Sequence, residues 1–327
     1  MTTPAFSLLT PDCVMDALDS LDYQCDGRLL ALNSYENRVY QVGMHEGLPL
    51  IAKFYRSGRW SDEAILEEHT FVQELADREI PVVPALIVHG KTLHNFQGFR
   101  FAVFPKQGGR APEFENHNTL EWMGRFLGRI HAIGAIKPFQ HRATLDITSF
   151  GDASLDFLLS NHFIPADLDA AYRSIAEQAL IHVRYCFERA GDRIKTLRLH
   201  GDCHVGNVLW TDNGPHFVDF DDSRMGPAVQ DIWMLLSGDR SDMARQLNIV
   251  LAGYEDFYDF DLRELHLIEA LRTLRLIHYS AWLAQRWDDL AFKQAFPWFN
   301  TQHYWQERIL ELREQIGLMS EPPLQLV

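Results

Sequence analysis

The chain has 327 residues, of which 46% are hydrophobic and 23% charged, an ordinary globular composition with enough length for two domains or one large one. Its 45 acidic and 30 basic side chains leave a net charge of −15. Such an acidic chain repels the phosphates of nucleic acids and the anionic surface of membranes, so neither is expected as a partner. A local basic cleft could still hold a phosphate ligand, because net charge does not describe a single site.

No segment predicts export or insertion into a membrane. The longest apolar run, residues 80–88, contains two prolines, whereas a bilayer span needs about 20 apolar residues. The first seven residues lack the basic and apolar parts of a secretory signal. The cysteines lie far apart and form no CxxC pair, which is typical of reduced thiols (Cys13, Cys25, Cys186, Cys203). We therefore expect a cytoplasmic protein.

The first hundred residues predict a small sheet with one main helix. Ser61 is the candidate N-cap of that helix, with acidic residues in the first turn and apolar residues at helical spacing as far as Leu75. We expect the helix to end before Pro81. Strand character is found in five runs separated by turn residues: 29–32, 39–43, 50–55, 85–88 and 99–104.

Residues 105–110, with the sequence Pro-Lys-Gln-Gly-Gly-Arg, interrupt this pattern. They predict a boundary that divides the chain into a nucleotide-binding lobe, residues 1–106, and a helical lobe, residues 107–327. Helices are predicted over 118–133, 167–190 and 262–287, and short strands over 197–200, 208–210 and 216–220. The sequence thus predicts an α+β fold with a five-stranded antiparallel N-terminal lobe and a larger, mostly helical C-terminal lobe.

The strongest indication of chemistry lies among these short strands. Asp202 is followed five residues later by Asn207, and Asp219 comes 12 residues after Asn207. This is the spacing of a kinase catalytic loop and its metal-binding aspartate. In phosphoryl transfer the protein mainly positions groups and neutralises charge. Asp202 would orient the attacking hydroxyl, while Asn207 and Asp219 would supply the oxygen ligands that Mg²⁺ prefers.

Lys53 is a second feature typical of kinases. It ends the run Leu-Ile-Ala-Lys, close to the V-A-I-K pattern whose lysine contacts the α- and β-phosphates of ATP. Glu67 and Glu68 of the following helix are both candidates to pair with it. We prefer Glu68, because it lies seven residues before Leu75 in the helical pattern, and assign the other glutamate to a solvated helix face.

Taken one at a time, these residues have simpler explanations. Asp202 and Asn207 could be turn residues, and Lys53 could be an exposed lysine at the end of a strand. The order of the motifs, however, resembles the aminoglycoside phosphotransferase and choline kinase superfamily. The likeness to bacterial Ser/Thr protein kinases of this superfamily continues to residues 321–326. It is close in four segments: 32–40, 65–69, 200–204 and 226–231.

The resemblance implies a protein-kinase-like fold of two lobes, ATP and Mg²⁺ as ligands, protein substrates with Ser or Thr hydroxyls, and a role in stress responses. Asp202 would be the catalytic aspartate. Asn207 and Asp219 would be the magnesium ligands, and Asp219 would also count as an active-site residue. Asp231 would brace the catalytic loop through backbone hydrogen bonds, and residues 101–106 would form the hinge that binds adenine.

The ATP phosphate loop departs from that of ordinary protein kinases. Ser34 matches a position in this loop, yet residues 33–42 contain no glycine. Glycine normally lets the backbone approach a phosphate closely. The side chains of Asn33, Ser34 and Asn37 would then have to bind the phosphates instead. The alternative is a plain hairpin turn rich in Asn and Ser.

A second departure concerns regulation. Gly201 stands where many protein kinases have an arginine that pairs with a phosphorylated activation loop, and only eleven residues separate Asp219 from Asp231. We therefore predict that phosphorylation of this segment does not regulate activity. The short segment also lacks a platform on which a peptide could dock, which favours a small-molecule substrate on physical grounds.

The main hypothesis is therefore a monomeric, ATP- and Mg²⁺-dependent Ser/Thr protein kinase. The alternative is a small-molecule phosphotransferase acting on a hydroxyl of an aminosugar or an amino alcohol. A zinc hydrolase built on His200, Cys203 and His204 is a third hypothesis, for which no fourth ligand lies at a familiar spacing. A nucleotide-binding module without activity is disfavoured, because all the residues expected of a kinase are present.

Overall fold

The computed structural model describes residues 6–114 and 116–326. The prediction that the chain carries no secretory signal falls largely on residues 1–5, which lie outside the described residues. The strands are β1 (Cys25–Leu32), β2 (Arg38–Met44), β3 (Leu50–Phe54), β4 (His94–Phe96), β5 (Phe99–Pro105), β6 (Leu197–Arg198), β7 (Val208–Thr211), β8 (Gly214–Phe217) and β9 (Met225–Gly226). The α-helices are α1 (Pro11–Asp19), α2 (Asp62–Ala76), α3 (His117–Gly134), α4 (Ala153–Ser160), α5 (Ala166–Ala190), α6 (Val229–Trp233), α7 (Arg240–Tyr254), α8 (Ile268–Gln285), α9 (Leu290–Ala295) and α10 (Gln302–Ser320).

Strands β1 to β5 form one antiparallel sheet in the spatial order β1-β2-β3-β5-β4. Neighbouring side chains of a strand point to opposite faces, and β5 shows the result. Phe101 is buried with α1 on one face and stacks on Phe54, with ring centroids 5.2 Å apart. Ala102 is buried with Ile65 of α2 on the other face. The two helices therefore cover both faces of the sheet.

One predicted strand is wrong. Residues 85–88 pack beside the sheet without joining its ladder, although the Leu86 N–H donates to the Val103 carbonyl. The fifth strand of the sheet is β4, which a two-residue turn, Gln97-Gly98, connects to β5. Both turn residues have positive φ, which suits a tight hairpin.

The predicted helices are found with shifted ends. The Ser61 hydroxyl accepts from the Ala64 N–H at 3.2 Å and so caps α2, as predicted. The cap of α3 is Asn116, two residues before the predicted Asn118. Gly191, at φ +85°, ends α5. The predicted helix over 262–287 is a 3-10 segment, Leu262–Leu267, followed by α8.

The C-terminal part has one large hydrophobic core to which α3, α5, α7, α8 and α10 contribute. The closest packing is between α3 and α7. A side chain at Gly124 or Gly128 would overlap a carbonyl oxygen of α7, of Val250 or Tyr254 respectively, so only glycine permits this approach. Among the described residues, no helix is long and apolar enough to cross a membrane.

Helix α2 also belongs to this core and so connects the sheet to the helical part. Its Phe71 packs edge-on against Phe139 and Phe220, with ring centroids 5.6 and 6.1 Å apart. Phe220 directly follows the candidate metal ligand Asp219. The packing therefore fixes α2 against the segment that carries the predicted chemistry, while the division at residue 106 stays a prediction.

Candidate active site

A cleft of about 450 Å³ lies between the sheet and the helical part, and three groups of predicted residues line it. Asn33 and Ser34 come from the turn between β1 and β2. Asp202 and Asn207 come from the loop between β6 and β7, and Asp219 follows β8. Residues far apart in the sequence therefore meet at one site.

The hairpin of β7 and β8 brings Asn207 and Asp219 together. Val208 pairs with Phe217, and one step further the Val218 N–H donates to the Asn207 carbonyl at 3.0 Å. Asp219 then takes a left-handed conformation with φ 58°, which is uncommon for a residue with a side chain. Its side chain is 53% exposed and lines the cleft.

Asp202 is fixed by its neighbours in the same loop and by α8. The Asn207 side-chain N–H donates to the Asp202 carbonyl at 2.9 Å, and His204 Nε2 lies 3.4 Å from Asp202 Oδ2. Arg275 Nη1 lies 2.9 Å from Asp202 Oδ1. Burial acts to raise the pKa of the Asp202 carboxyl, but the contacts with His204 and Arg275 outweigh it and lower the pKa. Asp202 is therefore ionised at neutral pH.

Asp231 braces the loop before Asp202, as the family resemblance implied. Its carboxylate accepts from the backbone N–H groups of His200 and Gly201, both at 2.8 Å. A third contact joins it to His131 Nε2 at 3.0 Å, and the carboxylate is fully buried. Gly201, at φ +87°, lies so close to the Asp222 carbonyl that a side chain would overlap it. An arginine therefore does not fit at position 201.

The hypothesis of a zinc centre is not supported. Both ring nitrogens of His200 contact the backbone: Nε2 lies 2.9 Å from the Val218 carbonyl oxygen, and Nδ1 accepts from the Asp202 N–H. That leaves no free lone pair for a metal. In the described part of the chain, no three His, Cys, Asp or Glu residues converge to hold a metal ion. A magnesium site made of one carboxylate, one amide and phosphate oxygens would not need such a group.

Lys53 is buried beside Asp219, one of the residues that line the cleft. Its Nζ lies 2.9 Å from Asp219 Oδ1 and 3.3 Å from Asp221 Oδ1. Burial acts to lower the pKa of Lys53, yet the charges of Asp219, Asp221 and Glu68 outweigh it and hold that pKa well above its ordinary value. Lys53 therefore remains a cation beside the candidate metal ligand.

The predicted direct ion pair between Lys53 and Glu68 is wrong. Glu68 Oε2 instead lies 3.5 Å from Arg142 Nη1, and Glu68 affects Lys53 only through its charge. Burial raises the pKa of Glu68 to about 7, although the charges of Lys53 and Arg142 oppose this. The assignment of the other glutamate to a solvated face is also wrong, because Glu67 accepts from three consecutive backbone N–H groups, residues 140–142.

A set of buried arginines surrounds the site, and the sequence pattern did not reveal it. Arg59 pairs with Asp221, and with Asp222 at 2.7 Å. Arg224 also pairs with Asp222, at 2.6 Å. Arg142 donates to three backbone carbonyls: that of Ala64 in α2, and those of Asp221 and Ser223 in the segment after Asp219. These contacts hold the short segment after Asp219 without any phosphorylated residue.

Ser223 is the one hydroxyl residue between Asp219 and Asp231. It is completely buried. A protein kinase could not reach it without local unfolding, which agrees with the prediction that phosphorylation of this segment does not regulate activity.

The predicted phosphate loop is held by Glu36 rather than by glycine. Glu36 is buried, accepts from the Trp282 indole N–H at 2.6 Å and lies 2.7 Å from Arg286 Nε. Asn37 is also buried, and its side-chain oxygen accepts from the Arg56 N–H at 3.0 Å. The turn is therefore fixed to α8, and Ser34 is presented to the cleft.

These observations define a class of protein. The sheet, the catalytic-type loop and the helical part agree with the match of residues 28–268 to the phosphotransferase enzyme family, and the chain belongs to that family. It is a phosphotransferase with a kinase-like fold of an antiparallel sheet followed by a mostly helical part.

Particular relatives narrow the class further. The chain is 44% identical over 321 residues to stress response kinase A of Escherichia coli strain K12, covering 98% of this chain and 97% of that protein. It is 43% identical, with the same coverage, to the serine/threonine protein kinase RdoA of Salmonella typhimurium strain LT2. Among solved structures, amicoumacin kinase hAmiN in complex with AMP-PNP, Ca²⁺ and Ami shares the fold, with a TM-score of 0.72 and 18% identity over 95% of this chain and 94% of that one.

Proposed function

We propose that this protein is an ATP- and Mg²⁺-dependent kinase of the cytoplasm that phosphorylates Ser or Thr hydroxyls of proteins in a bacterial stress response. The observation that carries the proposal is that Asp202, Asn207 and Asp219 line one cleft and that the buried Lys53 contacts Asp219. The protein substrate and the stress response come from the names of relatives at 43–44% identity. The cytoplasm and a monomer stay predictions, and the free cysteines agree with a reducing compartment.

In this proposal the two lobes divide the binding of ATP. Adenine lies against the hinge, residues 101–106, and the triphosphate lies between the loop side chains and Lys53. The phosphate-binding loop side chains are Asn33, Ser34 and Asn37. Lys53 is charged and already at the site, and the carboxylates of Asp219 and Asp221 keep it protonated, with a smaller contribution from Glu68. The surrounding arginines keep Asp221 and Asp222 neutralised, so the cleft can accept an anionic nucleotide.

The residues present fit a magnesium ion. The side-chain N–H of Asn207 donates to the Asp202 carbonyl, so the side-chain oxygen of Asn207 points away from that bond. Lys53 contacts Oδ1 of the half-exposed Asp219, which leaves Oδ2 for a metal ion. Asn207 and Asp219 would hold the ion together with phosphate oxygens. Bound Mg²⁺ would neutralise negative charge on the transferred phosphoryl group.

Asp202 performs the remaining task, which is to orient the acceptor. The substrate hydroxyl oxygen forms a bond to the γ-phosphorus while the bond from that phosphorus to the β–γ bridging oxygen breaks, and ADP leaves. The hydroxyl proton passes to the Asp202 carboxylate, which is ionised at neutral pH. Asp231 keeps the loop in position throughout through His200 and Gly201.

A small-molecule phosphotransferase is the second candidate function. The short segment between Asp219 and Asp231 favours it, because buried ion pairs hold that segment inside the protein instead of presenting a docking surface. Both candidates use the same groups for the transfer and differ only in the acceptor.

Labelling with γ-³²P-ATP distinguishes the two. The enzyme is incubated with ATP and Mg²⁺ alone, with an acidic and a basic general protein substrate, and with a panel of aminosugars and amino alcohols; a mixture without enzyme is the control. We expect labelled phosphoserine or phosphothreonine after acid hydrolysis of the protein fraction. Label found in a small alcohol and in no protein would contradict the protein kinase function.

A further inference from the structure

The helix α8 forms the wall of the cleft beside Asp202. Arg275 is the one charged side chain that α8 contributes to the lining of the cleft. The lining residues of α8 recur at helical spacing: Leu271, Arg275, His278, Tyr279 and Trp282. His278 has a packing role, because its ring stacks on Phe150 at 4.0 Å and bonds to the Ser154 hydroxyl. Arg275 therefore sets the charge of this wall.

Arg275 differs from the other arginines of the cleft in its exposure. Its side chain is 43% exposed, whereas those of Arg59 and Arg224 are 12% and 9% exposed and are paired with Asp221 and Asp222. The guanidinium is therefore partly open to the cleft, where it can contact a bound molecule while it stays beside Asp202.

The partner of Arg275 is the group that must bind the acceptor. Arg275 Nη1 lies 2.9 Å from Asp202 Oδ1, so an acceptor hydroxyl that approaches Asp202 also approaches the guanidinium. A neutral hydroxyl cannot replace the carboxylate as the partner of a cation. A carboxylate or phosphate carried by the substrate can, and arginine binds both through two parallel hydrogen bonds.

We infer that Arg275 is a specificity-determining residue that binds an anionic side chain next to the acceptor hydroxyl, so that the preferred substrate is a Ser or Thr flanked by an acidic residue. The inference rests on the proposed protein kinase function. It also disfavours a cationic aminosugar, whose ammonium groups would meet Arg275 at the point where the acceptor must lie.

The test uses three peptides that share one serine and differ only in the residues on both sides of it, which are Asp, Asn or Lys. The quantity measured is kcat/KM for phosphate transfer from labelled ATP. For the full-length wild type we expect the Asp peptide to exceed the Asn peptide by about tenfold or more, the range of a charge-assisted hydrogen bond. Arg275→Gln should remove most of this preference, and Arg275→Glu should shift it to the Lys peptide.

Arg272→Gln is the matched control. Arg272 lies one turn earlier on α8, pairs with Glu269 and stacks over Trp233, outside the lining of the cleft. This variant should keep the wild-type order of the peptides. Nucleotide binding is measured for Arg275→Glu to establish that this variant folds. If Arg275→Glu does not fold, the loss of the Asp preference in Arg275→Gln tests the inference.

The outcomes separate the inference from the function on which it rests. Equal kcat/KM for the three peptides, or an Asp preference that survives in Arg275→Glu, overturns the inference and leaves the kinase function standing. Failure to label any peptide or protein contradicts the kinase function, and the inference falls with it.

Discussion

Among single residues, Asp231 has the clearest energetic role. Its buried carboxylate satisfies two backbone N–H groups, of His200 and Gly201, and contacts His131. Asp231→Ala would leave these donors buried without partners. We expect it to lower the free energy of unfolding by about 3 kcal/mol or more. Chemical denaturation measures this loss.

The control for this prediction is Asp192→Ala, because Asp192 is exposed in the turn after α5. Exposed positions of this kind change stability by about 0.5 kcal/mol or less. If Asp231→Ala were no less stable than Asp192→Ala, the bracing role would be contradicted.

Single residues could be predicted from the sequence where local spacing determines their position. Asp202 and Asn207 share one loop, and Asp219 follows the next hairpin, so their spacing placed them in one site. The partners of Lys53 could not be found in this way. Asp219 lies 166 residues away, and the preferred Glu68 is seven residues from Leu75 but contacts Arg142 instead. Contacts between lobes depend on how the lobes pack, which local spacing does not record.

At the scale of elements, the turn between β1 and β2 depends on α8. The Trp282 indole N–H donates to Glu36 at 2.6 Å, which holds the turn that presents Ser34. Trp282→Phe keeps an aromatic ring but removes this donor to a buried carboxylate. We expect the KM for ATP to rise several-fold, with a smaller change in kcat, because the phosphate loop is less well fixed. Steady-state kinetics at varied ATP concentration measure both constants.

Trp305→Phe is the matched control for the loop prediction. It makes the same substitution at a fully buried tryptophan, whose N–H donates to Asn300 at 3.2 Å, away from the cleft. This variant should lose stability without a change in the KM for ATP. An equal rise of KM in both variants would show that loss of packing, not release of the loop, causes the effect.

Elements with strong local signals could be predicted, and elements formed by packing could not. Ser61 and Gly191 marked helix ends that the structure confirms. The run 85–88 predicted a strand because its residues are apolar, yet only Ala85 is buried, Ile87 is exposed, and the run packs beside β5 without a ladder. The three-residue β4 carries no apolar alternation, and its only signal was the turn Gln97-Gly98. A short run of apolar residues therefore does not distinguish a paired strand from a loop that packs beside one.

At the scale of the whole molecule, one buried glutamate predicts how stability changes with pH. Glu264 is 3% exposed, accepts from the Val229 N–H at 2.8 Å, and burial raises its pKa to about 7 from an ordinary value of 4.5. Between these two values the folded protein keeps a proton that the unfolded chain has lost. The contribution of Glu264 to stability therefore falls as the pH rises through this interval and stays low above it.

Glu264→Gln removes this titration and keeps an oxygen for Val229. Between pH 5 and pH 8 we expect the variant to lose roughly 2 kcal/mol less unfolding free energy than the wild type. Glu188→Gln, at an exposed position of α5, should behave as the wild type does. Identical pH dependence in all three proteins would contradict the buried glutamate as the cause.

The net charge illustrates what composition leaves out at this scale. The chain carries a charge of −15, yet cations from distant parts of it meet the carboxylates of the cleft: Arg59, Arg224 and Arg275 line it, and Lys53 contacts Asp219. The acidic total supported the prediction that nucleic acids are not partners, which stays untested. The sequence could not locate these cations, because they come from different strands, loops and helices.

The most direct test of the central claim is Asp202→Asn. The substitution keeps the size of the side chain and removes the carboxylate that would orient the acceptor hydroxyl. The measurement compares nucleotide binding with transfer of labelled phosphate to Ser and Thr. We predict that ATP binds as in the wild type while transfer falls by at least about 100-fold. Transfer within a few-fold of the wild type would contradict the account of this cleft as a kinase active site built on Asp202.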